Sequence, residues 1–531
     1  MAKLLHEREI EDRALEYEGR LRKEMGLESR EVRHFQRPVE RPFTNSQKKT
    51  TTILWGGLSV AHEHLLSESM RRLGYNIRHL PTPDNEALAL GKELGSRGQC
   101  NPNYYTVGNL LKHLKLLRAQ GEQDIEDRYV FVTAGGCGPC RFGMYEAEYR
   151  KALRDAGFGR FRVLLFQQSG GLGQSAEDAA LQINAGFARA LLQSFMLGDV
   201  INDLGYQIRP YEVNSGETDQ VIEEAKAAVG EALREGRAAW RVLRRFRKRF
   251  AAIQVDYTRV KPKVKIIGEF WAQTTEGDGN YKLFRWLESE GAEVAVEPLG
   301  TWIEYLIHIA RQNAEEKLLI DKSKKKLIRK IKLFQIGIRW WYNLYRWSLG
   351  FKPEALPNQK KLAEYAHAYY NTHLRGGEGH LEVGKNVMVA KERHAHMVIS
   401  LKPFGCMPST MSDGVQSKVV ADYKSAIYIP IETSGDGEVN VKSRVQMKLF
   451  EAKVRAREEM AEVLAANEVT IEQVRDYAVK HPKYTGSMRV LPGHHWTGTA
   501  AKFVADVSRR RKMPLRRLRF ARRSPSQTQN S

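Results

Sequence analysis

In TTILWGGLSVAHEHLLSESMRRLGYNIRHLP, Thr51–Pro81, a β-branched and aromatic run stops at two glycines. An amphipathic helical stretch then ends at Gly74, and a second β-like run, NIRHLP, begins. Strand, helix and strand in that order form a β-α-β unit, whose strands must run parallel. The alternation continues downstream. NYYTVGNLLKHLKLL reads as a helix before the strand RYVFVTAGG, and MYEAEYRKALRDAGF as a helix before FRVLLFQQSGG. Residues 217–250 read as one long helix ending in WRVLRRFRKRF, and Pro262 marks a boundary. The pattern then restarts with VKIIGEFWA, the helix and strand entry YKLFRWLESEGAEV, and the strands HAHMVISLKPFG and SAIYIPIE. The expected fold class is α/β, with two parallel-sheet domains in series, a helical N-terminal arm, a helical insertion and C-terminal helices.

The expected boundaries are a helical arm and linker over 1–50, a first α/β domain over 51–205 and a helical connector over 206–262. A second α/β domain follows over 263–440, with a basic helical insertion at about 301–373. A C-terminal helical region covers 441–507, and a basic disordered tail covers 508–531. In the insertion, Leu327, Ile331, Phe334, Ile338 and Trp341 recur at spacings of three and four and predict a packed face. Interleaved Lys, Arg and aromatic residues offer the alternative of an interface with an acidic surface or a phosphate-bearing ligand.

A length of 531 residues exceeds one ordinary core, and 42% hydrophobic with 9% aromatic residues excludes a disordered chain. No run of about 18 uncharged apolar residues is present to span a bilayer, so a soluble protein without a membrane partner is expected. The first residues mix acids and bases and lack the apolar core of a secretory signal, which predicts a cytoplasmic location. Of the net charge of +22, nine charges fall between Arg509 and Arg523, which leaves +13 for the rest. Such a tail is either a solvated extension or a binder of nucleic acid or an acidic partner.

Four cysteines in so long a chain do not make a disulfide framework, and a reducing compartment leaves them as thiols for a metal. Cys100, in GQCNPNYYTVGN, directly precedes a predicted helix, where the positive helix end favours thiolate. Cys137 and Cys140, in TAGGCGPCRFGMY, occupy the turn after the YVFV strand, with Arg141 adding positive charge. Cys406, in SLKPFGCMPSTMSDG, again follows a strand. All four fall at element edges, which points to a shared ligand set. Inert buried thiols, a structural zinc site and a thioredoxin-like dithiol at Cys137–Cys140 are the alternatives; a structural zinc favours two close pairs, and the dithiol leaves Cys100 and Cys406 unexplained. Iron-sulfur ligation accepts thiolates separated by long gaps.

The blocks CNPNYYTVGNLLKHL, GGCGPCRFGMYEAEYRKALRDAGF, KPFGCMPS and GEFWAQTTEGDGNYKLFRWLESEGAEV resemble the 2-hydroxyacyl-CoA dehydratase component family, most closely its acyl-CoA dehydratase activase-related branch. The likeness spans Thr51 to Glu432. It implies Rossmann-like domains with a 4Fe-4S cluster in their cleft, and a separate ATP-dependent actin-like activator that injects a low-potential electron. It also implies an acyl-CoA or other small-molecule substrate, passage through a ketyl radical, and a homo- or heterodimer; some relatives carry a double-cubane cluster instead. By position Cys100, Cys406 and one or both of Cys137 and Cys140 become the ligands, with Cys140 the preferred member of the pair. Three cysteines leave an iron site open to substrate, whereas four close the cluster and leave electron transfer alone. The alternative expectation is a noncatalytic cluster protein whose basic tail and insertion bind nucleic acid or an acidic partner.

Glu378, in RGGEGHLEVG, is a candidate proton donor or hydrogen-bond acceptor, because flanking glycines let its carboxylate approach a ligand; a solvated loop glutamate is the plainer reading. Asp278 and Asn280 are expected to cap the next helix. His394 and His396 alternate on a predicted strand and so face one side of it, as core or surface histidines or, in the alternative, as metal ligands.

Overall fold

The computed structural model describes residues 13–14, 16–21, 23–26, 41–136, 138, 140–167, 171–172, 179–318, 320–374, 376–492 and 495–512. The chain divides into an arm up to Arg41 and one body from Pro42 onward. The described arm residues between 13 and 24 are helical, and the readings for 27–40, for Cys137 and for 513–531 lie outside the described residues.

The body contains two sheets. The first has the order β2-β1-β3-β4-β5, from β1 (Thr52–Trp55), β2 (Ile77–His79), β3 (Tyr129–Gly135), β4 (Arg162–Gln167) and β5 (Gly171–Leu172). Its first four strands are parallel, with Ile53 opposite both Ile77 and Val130, and the two-residue β5 is antiparallel to β4. The second, all parallel, has the order β7-β6-β8-β9, from β6 (Lys263–Gly268), β7 (Glu293–Val296), β8 (Met397–Pro403) and β9 (Ile427–Thr433). The expected pair of Rossmann-like parallel-sheet domains is therefore present. Both sheets place their second strand on one side of the first and their third on the other. Crossovers leave in opposite directions from the β1/β3 and β6/β8 pairs, and ligand crevices in α/β sheets open at such points.

β6 is buried along its whole length although Lys263 and Lys265 lie in it. Lys265 pairs with Glu297 at 2.8 Å and Lys263 with Glu354 at 2.7 Å, which is how two ammonium groups are accommodated in a dry layer. The largest buried cluster belongs to neither sheet: Val200, Leu204, Val229, Leu243, Phe250 and Phe503 pack helices Ala185–Ile208, Glu217–Glu235, Ala239–Ala252 and Thr499–Lys512 together.

Several local readings need correction. Residues 217–250 form two helices, because Gly236 adopts φ +76° and its N–H closes the first on the Ala232 carbonyl. Helix Thr499–Lys512 carries regular structure past residue 508, where the tail was expected to begin. In helix Lys324–Ser348 three of the five expected residues pack, Ile338 in the core with Ile331 and Trp341 against it, and Ile328, Tyr342 and Tyr345 are buried beside them, while Leu327 and Phe334 are exposed. Asp278 and Asn280 do not cap helix Leu283–Ser289: Asn280 donates to the carbonyls of Ala272 and Thr275, and Asp278 accepts from the Asn85 N–H of the first half. His394 and His396 precede β8; His396 is buried between the Lys263 N–H and Glu459, whereas His394 is exposed beside Glu392.

Candidate cysteine site in the interdomain cleft

The ends of the two sheets face one another across a seam of backbone contacts. The Asn101 N–H donates to the Phe404 carbonyl at 3.1 Å, and the Asn101 amide donates to the Thr433 carbonyl at 2.6 Å. Deeper in the body, Asp199 accepts from Leu299 N at 2.7 Å and Gly300 N at 2.8 Å, where helix Leu299–Leu318 starts, and contacts His62 Nε2 at 3.2 Å. His62 Nδ1 in turn lies 2.6 Å from Ser59 Oγ. This buried chain ties the turn after β1 to the turn after β7, and nothing in the sequence pattern announces it.

Cys100 is the N-cap residue of helix Asn101–Ala119, and Cys406 is that of helix Met407–Asp422; each helix has a proline in its first turn. Cys-Asn-Pro and Cys-Met-Pro are thus one device used twice, with proline pre-set for a helix start and sulfur at the positive helix end. The two meet. Gly405 has φ +78°, and a Cβ there would lie 3.4 Å from the Cys100 Cα and 3.3 Å from an Arg141 guanidinium nitrogen. Cys140 starts the short turn Arg141–Met144, and its Sγ accepts from Phe142 N at 3.5 Å. Arg141 ties this turn to the Gly98 carbonyl, beside Cys100. Tyr145 Oη lies 3.1 Å from Cys100 Sγ.

Two carboxyls complete the cleft. Glu269 follows β6 and accepts from Ala272 N at 2.9 Å; Glu378 Oε1 accepts from Phe270 N at 2.9 Å. The glycines around Glu378 are required: Gly377 has φ +59°, and a Cβ there would lie 2.2 Å from Pro408, next to Cys406 in the same helix start. Burial pushes Glu269 up to about 7 and, helped by the Glu269 charge, Glu378 up to about 8. Burial likewise raises all three thiols, Cys140 to about 12, with Glu269 adding to each rise. Five acidic groups thus converge where negative charge is unwelcome unless protons or a cation offset it.

The structure brings Cys100, Cys140, Cys406 and Glu378 to one cleft. Among the described residues no group of three or more His, Cys, Asp or Glu side chains is arranged so that it could hold a metal ion. Tyr145 and Glu269 escaped sequence reasoning. The signal for Glu269 was available, since an acid directly after a glycine-terminated buried strand sits at a switch point; Tyr145 offered none. No helix of the described residues is long and apolar enough to cross a membrane. No protein-family model matches the chain, and no curated protein matches it.

Proposed function

We propose that the cleft holds an iron-sulfur cluster on its cysteines. In this reading the protein is a redox component of a dehydratase-like or reductase-like system. It accepts low-potential electrons from a separate ATP-dependent activator and passes them to a substrate of the acyl-CoA thioester class. The observation that carries the reading is the meeting of Cys100 and Cys406, each at the start of a helix and each from a different half, at paired switch points. The donor types suit such a group: thiolates are the usual ligands of these clusters, which take them further apart than a single ion does, and the positive charge of bound iron would offset the burial that raises all three thiols.

A bound cluster supplies one-electron reduction at low potential. The chain's own residues supply position and protons. Tyr145 holds the Cys100 sulfur by its hydroxyl, and Arg141 pins the Cys140 turn against the Cys100 loop. Glu378 Oε1 is committed to the Phe270 N–H, which leaves Oε2 to hold the proton a departing hydroxyl needs.

The test is anaerobic purification with iron and sulfide analysis and electron paramagnetic resonance, on the wild type and on Cys100→Ala, Cys137→Ala, Cys140→Ala and Cys406→Ala. The expected outcome is loss of most iron in the Cys100, Cys140 and Cys406 variants and retention in Cys137→Ala. A wild-type chain that takes up neither iron nor sulfide on anaerobic reconstitution overturns the proposal.

A further inference from the structure

Between Lys322 and Lys352 the chain carries seven lysines, three arginines and no Asp or Glu. Most of this stretch is helix Lys324–Ser348. At 3.6 residues per turn, Lys326, Arg329, Leu333, Ile336, Trp340 and Trp347 lie on one side of it. Leu333 is 71% exposed, Ile336 64%, Trp340 66% and Trp347 41%, while Ile328, Ile338, Tyr342 and Tyr345 on the opposite side are buried; in the first half of the helix Leu327 and Phe334, also away from this face, are exposed as well. Lys322, Lys325, Lys326, Arg329, Lys330 and Lys332 have no ion pair among the described residues, so their charge faces solvent uncompensated.

The face continues onto a second helix. Trp347 lies 6.1 Å from Trp240 of helix Ala239–Ala252, and the Arg244 guanidinium sits 5.1 Å from the Trp347 ring centre. Trp240, Arg241, Arg244, Arg245 and Lys248 line a cleft of about 670 Å³ there. This helix also lacks any acid. One contiguous surface therefore joins unpaired cations to a row of exposed aliphatic and indole side chains.

We propose that this face docks on an anionic lipid bilayer surface, with its cations against headgroup phosphates and Leu333, Ile336 and Trp340 at the acyl boundary. Two independent features select this occupant. Lysines and arginines facing solvent without acids are complementary to anionic headgroups. Exposed leucine, isoleucine and tryptophan on the same side gain free energy at the interface, where indole rings favour the headgroup level. A nucleic acid would match the cations and stack on the indoles, but it would leave Leu333 and Ile336 against phosphate and water. The absence of a spanning run, on which the expectation of no membrane partner rested, does not bear on surface contact. The assignment is independent of the cysteine cleft.

The test is co-sedimentation of the full chain with phosphatidylcholine vesicles, with and without phosphatidylglycerol. Wild type is expected to sediment only when phosphatidylglycerol is present. The variant Leu333→Ser/Ile336→Ser/Trp340→Ser should bind about tenfold more weakly or worse, because it keeps every cation and loses the apolar contact. All three side chains are exposed, so an unchanged melting temperature confirms that the variant folds. Failure of the wild type to sediment overturns the proposal, as does a triple variant that binds like wild type, since the basic C-terminal segment alone would then explain the attraction. Binding of polyuridylate that is lost in the triple variant, without vesicle binding, assigns the face to nucleic acid and also overturns it.

Discussion

The two α/β halves share one strand order but not one set of side chains at their crevices. In the first half Cys100 precedes the helix that leads towards the third strand, and Cys140 follows that strand. In the second, Glu378 stands just before helix His380–Glu392, which leads into β8, and Cys406 follows β8. A carboxyl thus occupies the place in one half that a thiol occupies in the other. The common scaffold fixes where these side chains gather, and under the proposed function the difference between sulfur and oxygen at one of two matched positions gives the halves different work: the first would supply only soft donors, the second a soft donor and a proton carrier.

The sharpest way to break that contrast is to neutralise the carboxyl. Glu378→Gln keeps the acceptor for the Phe270 N–H and removes the transferable proton. Iron content should be unchanged, while turnover of a 2-hydroxyacyl-CoA in the presence of its activator should fall by about 10²–10⁴-fold, the range of a lost general acid. Iron loss on the scale of Cys100→Ala would instead make Glu378 a ligand, and the matched positions would then be equivalent after all.

The turns after the first strands offer a second contrast. Gly268, after β6, has φ +121°, and a Cβ there would lie 1.9 Å from the Leu401 carbonyl oxygen of β8. That oxygen accepts the Glu269 N–H at 2.7 Å, so the strand cannot retreat without breaking the seam that holds Glu269. Gly57, after β1, has φ +108°, but the nearest atom to a Cβ there is Trp271 Cδ1 at 3.8 Å. Gly268→Ala should therefore cost about 4 kcal/mol, combining strain with overpacking, and Gly57→Ala about 1–2 kcal/mol from strain alone. Denaturant melts of both variants check the ranking, and equal losses would mean that the two turns are not under different constraints.

How much of this was legible in the chain follows from where each signal is stored. Strands and switch points are written locally, in runs such as YVFV and VISL that stop at glycine or proline, and all eight parallel strands were anticipated. The helix start at Cys100 was legible for the same reason, whereas Cys406 read only as a turn after a strand and its helix Met407–Asp422 did not show. The environment of the sulfurs was not legible, because Tyr145 and Glu269 come from other elements and reach Cys100 only through packing. The insertion shows the limit of periodicity. Its apolar residues recur at helical spacing on more than one side, so the pattern announces a helix without saying which side is covered, and the covered one is Ile328, Ile338 and Tyr342. Gly236 was likewise visible, but one glycine in a long amphipathic pattern is often tolerated, and only its left-handed conformation ends the helix.

The smallest expected effect separates the carboxyls that close the two first-strand turns. In the second half Glu269 caps its own turn; in the first, Glu63 reaches back from helix Val60–Arg72 and accepts from Gly57 N at 2.8 Å and Leu58 N at 3.0 Å. Burial outweighs those two hydrogen bonds and pushes Glu63 up to about 8. A carboxyl whose folded value exceeds its unfolded value stabilises the fold fully below the unfolded value. That contribution is lost as pH rises through the folded one. Wild-type stability should therefore decline between about pH 4.5 and pH 8 by a share that Glu63→Gln abolishes, since glutamine keeps the acceptor oxygen and never ionises. The two proteins should melt together at the acid end and diverge at the alkaline end, with the variant the more stable. A constant offset across that window would mean that Glu63 is ionised in the fold throughout, and that the first half's turn is closed by charge.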